Sequence, residues 1–550
     1  MIGLKLQCFN KIFKVRFTLN KKIAVNYIFS KSNLALTLII WLKLSTVFSQ
    51  VTSQEIDNIV ERAMENFTVA GVAVAVVKDG KIIHQKGYGI QSINSKKKVN
   101  ENTNFGIASN SKAFTTTALA ILVEEGKISW TDKVTKHIPE FKMYNDYVTQ
   151  NFNIQDLLTH RSGLGLGVGD LMFFPDGSDF TINDIINSFK HFAPVSAFRT
   201  KFDYDNLLYL VAGEVIARVS GLSWEEFIKE RIFDPLEMNN SYASLTYISD
   251  KNNVASPHLN KNKKLSLTDP EQWDPKKING AAGGIYSNVN DIASWMLLNL
   301  NKGKYGANLE KQLFKEASQQ ELWKIHTTTN VDRNPRYNSH FAGYGLGWGL
   351  TDVNGYMVVS HTGGLIGMLS KTILVPDLNL GIIVLTNTYI DGAGVFSSVT
   401  QTILDKYLGL ENFDWTETFV KRLNQRSNEA DEVVTKVWNT TEEADKSILD
   451  LTNYTGLFKD PWFGKIEIYK KEKRLWFKSL RSPKLTGQMH YYKANTFVAK
   501  WSESSLIDAD AFVMFQLDEN GVAQGFKMKG ISPAIDFSFD FQDLDLKRIK

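Results

Sequence analysis

Strand-forming sequence sits at both ends of residues 71–385, whereas the middle reads as helix and loop. At the front, Gly71–Lys78 and residues 81–88 are apolar runs joined by Asp79-Gly80, a pair suited to the positive φ angles of a two-residue hairpin. At the back, three short strands follow one another at residues 356–361, 369–375 and 381–385, punctuated by Gly and Pro-Asp. Between them, residues 109–125 read as a helix closed by Gly126, and residues 150–300 look mainly helical with Gly-, Asn- and Asp-rich loops. Residues 52–67 add an amphipathic helix in front, with Ser53 as its N-cap. This pattern predicts one antiparallel sheet assembled from both ends of a domain.

Composition shifts near Leu408. Residues 409–450 are charged and helix-prone without a broad apolar face, which predicts a helical linker. Residues 451–550 then alternate at 465–469, 474–478, 512–517 and 526–528, with Asn520-Gly521 as a tight turn. The tract Asp536-Phe537-Ser538-Phe539-Asp540-Phe541 alternates throughout and predicts one more strand. Short aromatic-rich strands over about 100 residues argue for a small barrel or sandwich.

Residues 1–49 form a leader. Residues 34–42 are an apolar run too short to span a bilayer but fitting a secretory signal, with cleavage after Ser49. An uncleaved anchor and an organellar transit peptide are the alternatives, and the favoured reading makes the mature chain secreted or periplasmic. Eight basic residues and no acid lie in the first 50, so the net charge of +4 becomes −4 for the rest. The body therefore has no nucleic-acid footprint. The single cysteine, Cys8, lies in the leader, which excludes disulfides and thiolate chemistry from the mature chain.

Three short motifs can carry chemistry. In Ser109-Asn110-Ser111-Lys112, residues three apart share a helical face, so a lysine desolvated in a core can take the serine proton. Ser109 also opens the helix, where free N–H groups favour developing negative charge. A second match, Ser95-Lys96-Lys97-Lys98, lies in a polar lysine run and reads as a solvated turn. Tyr204-Asp205-Asn206 precedes an apolar helix; a phenol beside an ammonium can be held as phenolate and act as base, while the amide orients substrate. Its second match, Tyr286-Ser287-Asn288, reads as a helix cap. His361-Thr362-Gly363, followed by Gly364, is the chain's one H-x-G and ends a strand, where glycines let a ligand approach the backbone.

In this order the three motifs resemble the class C β-lactamase-related serine hydrolases, which include penicillin-binding DD-peptidases, D-aminopeptidases and esterases. Leu157-Leu158-Thr159-His160-Arg161-Ser162-Gly163-Leu164, Ala282-Gly283-Gly284-Ile285-Tyr286-Ser287 and Gly343-Tyr344-Gly345-Leu346-Gly347-Trp348 are similar to that family too. The resemblance spans residues 52–408, and residues 451–550 resemble the lipocalin-like barrel appended to some members. It implies an α/β, β-lactamase/transpeptidase-like domain, an antiparallel sheet flanked by helices with a helical subdomain, followed by a small all-β barrel. It further implies Ser109 as nucleophile, Lys112 as its proton-relay partner and Tyr204 as general acid/base. Asn206, His361, Thr362 and Gly363 would bind substrate or tune the network, and the N–H groups of Ser109 and Gly364 would form the oxyanion hole. His160 and Arg161 would hold the active-site loop.

Two positions depart from the family pattern. Glu237 stands where glycine is usual, and His361 replaces the lysine of true β-lactamases. A neutral imidazole holds a β-lactam carboxylate weakly, and such binding would improve as pH falls. The expected activity is thus a serine hydrolase forming an acyl-enzyme on a small peptide, D-amino-acid amide or ester. A class C-like β-lactamase and a non-turnover β-lactam or cell-wall-fragment binder are the alternatives. No cofactor is expected, and no metal, because the histidines lack ligand spacing. The C-terminal domain is a candidate surface for homo-oligomers.

Overall fold

The computed structural model describes residues 51–444 and 450–549; the leader and its cleavage site lie outside the described residues. Helix α1 (Ser53–Asn66) starts from Thr52, whose side chain accepts from the Glu55 N–H while the Glu55 carboxylate takes the Thr52 N–H. The cap is thus one residue earlier than Ser53, because only Thr52 has the reciprocal acid three residues on.

Strands β1 (Gly71–Lys78) and β2 (Lys81–Gly89) form the leading hairpin, with Asp79 at φ 50° and Gly80 at φ 76° in its turn. At the other end come β3 (Thr327–Thr328), β4 (Ala342–Tyr344), β5 (Gly349–Val353), β6 (Tyr356–Leu365), β7 (Met368–Val375) and β8 (Leu380–Thr386). Their order in the sheet is β2-β1-β8-β7-β6-β5-β4-β3, antiparallel throughout. The two ends of the domain join where β1 meets β8, with Val74 opposite Val384. β1 is apolar at every position from Val72 to Val77 because both of its faces are covered. Val72, Val74 and Val76 pack with Ile56, Val60 and Ala63 of α1 and with Val395 and Val399 of α5 (Asp391–Tyr407). Ala73, Ala75 and Val77 face the larger core that holds α2 (Ser111–Glu124), α3 (Leu207–Ser220) and α4 (Val289–Leu300). Each fully buried valine or isoleucine here contributes about 1.5–3 kcal/mol. Glu237 has φ 57°, a left-handed conformation that glycine adopts without strain, which is why glycine suits that loop position.

A single 30-residue helix, α6 (Trp415–Ala444), leads out of the domain. Trp415 at its start is buried against the sheet's core, and Val437 near its end packs on Val498 and Ile531. The remaining chain closes an eight-stranded antiparallel barrel running from Gly456–Asp460 to Leu546–Arg548. The tract 536–541 is not one of its strands. It forms turns and a short 3-10 helix at Phe541–Asp543.

The barrel rim is fastened to the helical part of the first domain. Arg481 lies 3.9 Å above the ring of Phe180 and pairs with Asp179 at 2.6 Å and Asp184 at 3.0 Å. Lys484 pairs with Asp176 at 2.5 Å, and Phe174 meets Phe539 at 5.0 Å between ring centres.

Candidate active site

Ser109 lies in a 3-10 turn (Ala108–Asn110) just before α2, so the α-helix begins two residues later than its sequence pattern suggests. Ala108 takes φ 51°, an unfavourable angle for a residue with a side chain, and this turn exposes Ser109 to the cavity below. Three contacts hold the turn in place. The Ile107 N–H donates to Ile285 O (2.9 Å), Ser370 Oγ donates to Ile107 O (2.7 Å), and Asn110 Nδ2 donates to Ser370 Oγ (2.8 Å).

Strand β6 extends through Gly364 to Leu365, so His361-Thr362-Gly363 lies inside the strand rather than at its end. Gly363 faces away from the cavity, against the nucleophile turn. A Cβ there would stand 2.2 Å from Ile107 O and 2.5 Å from Ser370 Oγ, both fixed by the bonds just described. Gly363→Ala is therefore expected to push β6 off the turn and slow acylation of Ser109 about 10²-fold, the cost of a displacement near 1 Å in a reacting group. The rate of labelling by a fluorophosphonate measures it, and a wild-type rate would show that the turn does not depend on this contact.

Lys112, on the first turn of α2, is fully buried. Its Nζ is 3.1 Å from Ser109 Oγ, and it donates to Asn206 Oδ1 (2.7 Å) and to the carbonyl of Ala282 (2.8 Å). The rings of Tyr204 and Tyr209 flank it at 4.8 and 5.1 Å. Burial pushes its pKa down to about 7, against the pull of Asp170 and Asp205. A neutral amine has two N–H donors and one lone pair. Two neighbours can only accept, and the third, the Ser109 hydroxyl, can give its proton. The geometry accommodates the free base as well as an ammonium donating to all three oxygens, and the lowered pKa makes the free base accessible near neutral pH.

Asn206 is held in turn. Its Nδ2 donates to Asp170 Oδ2 (2.8 Å), and the same oxygen accepts from Ser538 Oγ (2.8 Å) of the C-terminal domain. Asp540 anchors that loop, accepting from the N–H of Gly169 (2.6 Å) and of Leu171 (3.0 Å). Burial raises both Asp170 and Asp540 well above the ordinary carboxylate range. A chain of polar contacts thus runs from the barrel to Lys112.

Tyr204 stacks on His160 at 4.1 Å between ring centres, and His160 Nδ1 accepts the Asp205 N–H at 3.0 Å. Burial raises the Tyr204 phenol well above 10, so it stays protonated. The phenolate expected from the neighbouring lysine does not form, because the same burial that raises the phenol strips the lysine of its charge. Its match Tyr286 is also buried, with the following Asn288 capping α4 by accepting the Asp291 N–H. The other lysine motif, 95–98, is exposed apart from its first turn contacts.

His361 lines the cavity, yet both ring nitrogens are in use. Nδ1 donates to the Thr362 carbonyl (2.5 Å), which leaves Nε2 to accept from the Tyr344 hydroxyl (2.9 Å). Burial lowers its pKa to about 3. The expected gain in carboxylate binding on mild acidification therefore has no basis in this side chain, which remains neutral across the usual working range. Arg161 is turned towards Asp156, which it shares with Arg199.

Ser109, Tyr204, Asn206, His361, Thr362 and Gly364 line one cavity of about 280 Å³; Gly363 does not, and Lys112 lies behind its wall. The sequence reading missed much of the rest of that wall, including Phe173, Phe174, Glu271 and Trp273 from the first domain, and Asp536, Phe537 and Ser538 from the C-terminal one. Phe537 meets Tyr204 edge to face at 5.8 Å. Gly167, at φ 71°, passes so close to the Phe537 carbonyl that a Cβ would lie 2.6 Å from it. No motif signalled this segment; its alternation was read as a strand.

A serine in a strained turn, a buried lysine at its hydroxyl and a tyrosine lining the same cavity stand together on an antiparallel sheet with helices, the arrangement of a serine-hydrolase type of site. The chain belongs to the Beta-lactamase family, whose profile matches residues 56–395. A second profile, a domain of unknown function (DUF3471), matches residues 440–548. Among curated proteins, the unguisins hydrolase ungD' of Aspergillus campestris is 25% identical over 433 residues, 76% of this chain and 78% of the relative. Protein flp of Staphylococcus aureus is 28% identical over 342 residues, 61% of this chain and 63% of its own length. The fold is also that of the octameric penicillin-binding protein homologue from Pyrococcus abyssi (TM-score 0.57, 20% identity, covering 90% of this chain and 99% of that one). The penicillin-binding protein from Bacillus halodurans covers 62% of this chain and 99% of its own, with TM-score 0.51 and 20% identity.

Proposed function

We propose that the protein is a serine hydrolase that forms an acyl-enzyme on Ser109, acting on small peptides, amino-acid amides (D-configured ones included) or esters. The observation that carries this reading is the buried Lys112 amine, 3.1 Å from Ser109 Oγ and otherwise surrounded by acceptors. In the proposed reaction Lys112 takes the Ser109 proton as Oγ attacks the carbonyl carbon, and it returns that proton to Oγ when the acyl group leaves in deacylation. The oxyanion is received by the N–H groups of Ser109 and Gly364. Tyr204, a neutral phenol, hands a proton to the departing amine or alkoxide and regains one from the attacking water in deacylation. Asn206 orients both lysine and substrate.

A β-lactamase is the weaker reading. The cavity offers a β-lactam carboxylate no free cation, since His361 is neutral and already bonded on both nitrogens. The basic, then apolar leader sequence, read as a secretory signal, supports a site of action outside the cytoplasm. That one relative is named a hydrolase agrees with turnover rather than binding alone.

The test is active-site mapping. After reaction with a fluorophosphonate, peptide mass mapping is expected to find the adduct on Ser109, alongside measurable ester or amide hydrolysis and slow or absent penicillin hydrolysis. An adduct on another serine, or efficient cephalosporin turnover without ester or amide activity, would overturn the reading.

A further inference from the structure

The cavity wall holds two carboxyl side chains, Glu271 and Asp536. Glu271 is only 6% exposed. One oxygen accepts the Ile366 N–H at 2.8 Å, whereas Oε2 is buried with no partner. A buried carboxyl oxygen left without a partner is costly even in the neutral acid, and native structures rarely keep one unless something else binds there. Lys484, whose charge acts on it, is already paired with Asp176. Asp536 comes from the C-terminal segment, and its Oδ2 accepts from the Tyr389 hydroxyl at 3.4 Å. The rings of Phe173, Trp273 and Phe537 line the same cavity. Aromatic faces beside carboxylates favour a compact organic cation. Glu271 and Trp273 also border a second void of about 10 Å³, which is room for a water at most.

We propose that Glu271 and Asp536 form an ammonium subsite in the Ser109 cavity, selecting substrates whose free amine lies close to the scissile carbonyl. The inference rests on the hydrolase reading above and narrows it to amine-bearing amides, peptides and esters. Each domain supplies one carboxylate, so the subsite is complete only when the barrel is docked. Burial and the nearby acids raise the Glu271 carboxyl to about 8, so the empty subsite holds it protonated at neutral pH, and an arriving ammonium favours loss of that proton. A bound ammonium supplies the missing partner. An N-acylated substrate, with no charge to offer, leaves it empty.

The experiment compares the full chain with Glu271→Gln and Asp536→Asn. Glutamine keeps the oxygen that receives the Ile366 N–H, so the wall itself survives the change. Substrates are the D- and L-alanine p-nitroanilides and their N-acetyl counterparts, and the readout is the ratio of kcat/KM for free to acetylated amine. The unmodified protein is expected to prefer the free amine, and Glu271→Gln to lower that ratio about ten- to a hundredfold, the range for a hydrogen bond to a charged group. Asp536→Asn should lower it less, because that carboxylate is more exposed to solvent. A ratio favouring the acetylated amine, or one unchanged in both variants and their double, would overturn the subsite. If no compound is turned over, the hydrolase reading fails by itself, and binding decides the subsite. Calorimetry on Ser109→Ala then compares alaninamide with N-acetylalaninamide. Tighter binding of alaninamide, lost when Glu271→Gln is added, supports the proposal, and equal binding of the two overturns it.

Discussion

Lys112→Met is expected to slow acylation of Ser109 by about 10²–10⁴-fold, the usual contribution of a positioned base, and so to approach the floor set by Ser109→Ala. Methionine fills nearly the same buried volume but cannot take a proton. It also leaves Asn206 Oδ1 and the Ala282 carbonyl without their donor, so some loss of stability should accompany the loss of rate. A pH profile separates the two effects. In the unmodified protein the base works only when unprotonated. With Lys112 lowered to about 7, labelling should rise with pH through that region and level off above it. An isolated lysine near 10.5 would instead give a rate still climbing at pH 9. The second-order labelling rate from pH 5 to 9 measures this. Near-wild-type labelling of Lys112→Met would remove lysine from the role of base and leave Tyr204 as its only candidate.

Asp540→Ala should produce the other large effect, although the residue lies more than 400 positions from the nucleophile. It leaves two buried N–H groups, those of Gly169 and Leu171, without an acceptor. At roughly 1–3 kcal/mol for each, the loop is expected to be destabilised by several kcal/mol. That loop carries Asp170, which holds Asn206, which holds Lys112. Displacing the end of such a chain by about 1 Å is expected to lower kcat/KM by about 10²-fold. Asp540→Asn keeps one acceptor oxygen and should lie between the two. Lys529→Ala, an exposed change on a neighbouring barrel strand, should alter neither the urea midpoint nor the rate. If Asp540→Ala behaves like Lys529→Ala, the barrel is a separate appendage and not part of the catalytic scaffold.

The order of residues along the chain was enough for whatever depends on short spacing. Ser109 and Lys112 meet because they are three positions apart at a helix start, and no other part of the fold is needed to predict that. The hairpin at Asp79-Gly80 and the doubly buried run Val72–Val77 follow from backbone angles and side-chain polarity alone. The same local reasoning put α2's start and the end of β6 a few residues off, since helix and strand limits depend on which neighbour takes the last hydrogen bond. His361 thereby moved from a strand end into a ladder.

Only the tertiary structure could decide charge states and the membership of the cavity wall. Lys112 near 7 and His361 near 3 are consequences of burial, and burial depends on segments that meet from opposite ends of the chain. The tract 536–541 shows why pattern alone stops short. Alternation says that a segment has two unlike faces; it does not say what each face meets. Here Phe539 and Phe541 go into the core, while Ser538 and Asp540 reach across to Asp170, Gly169 and Leu171 of the other domain. The polar face that would have been solvated on a barrel strand is buried at the catalytic loop, where it supplies the acceptor for two buried N–H groups and a donor to the Asp170 carboxyl.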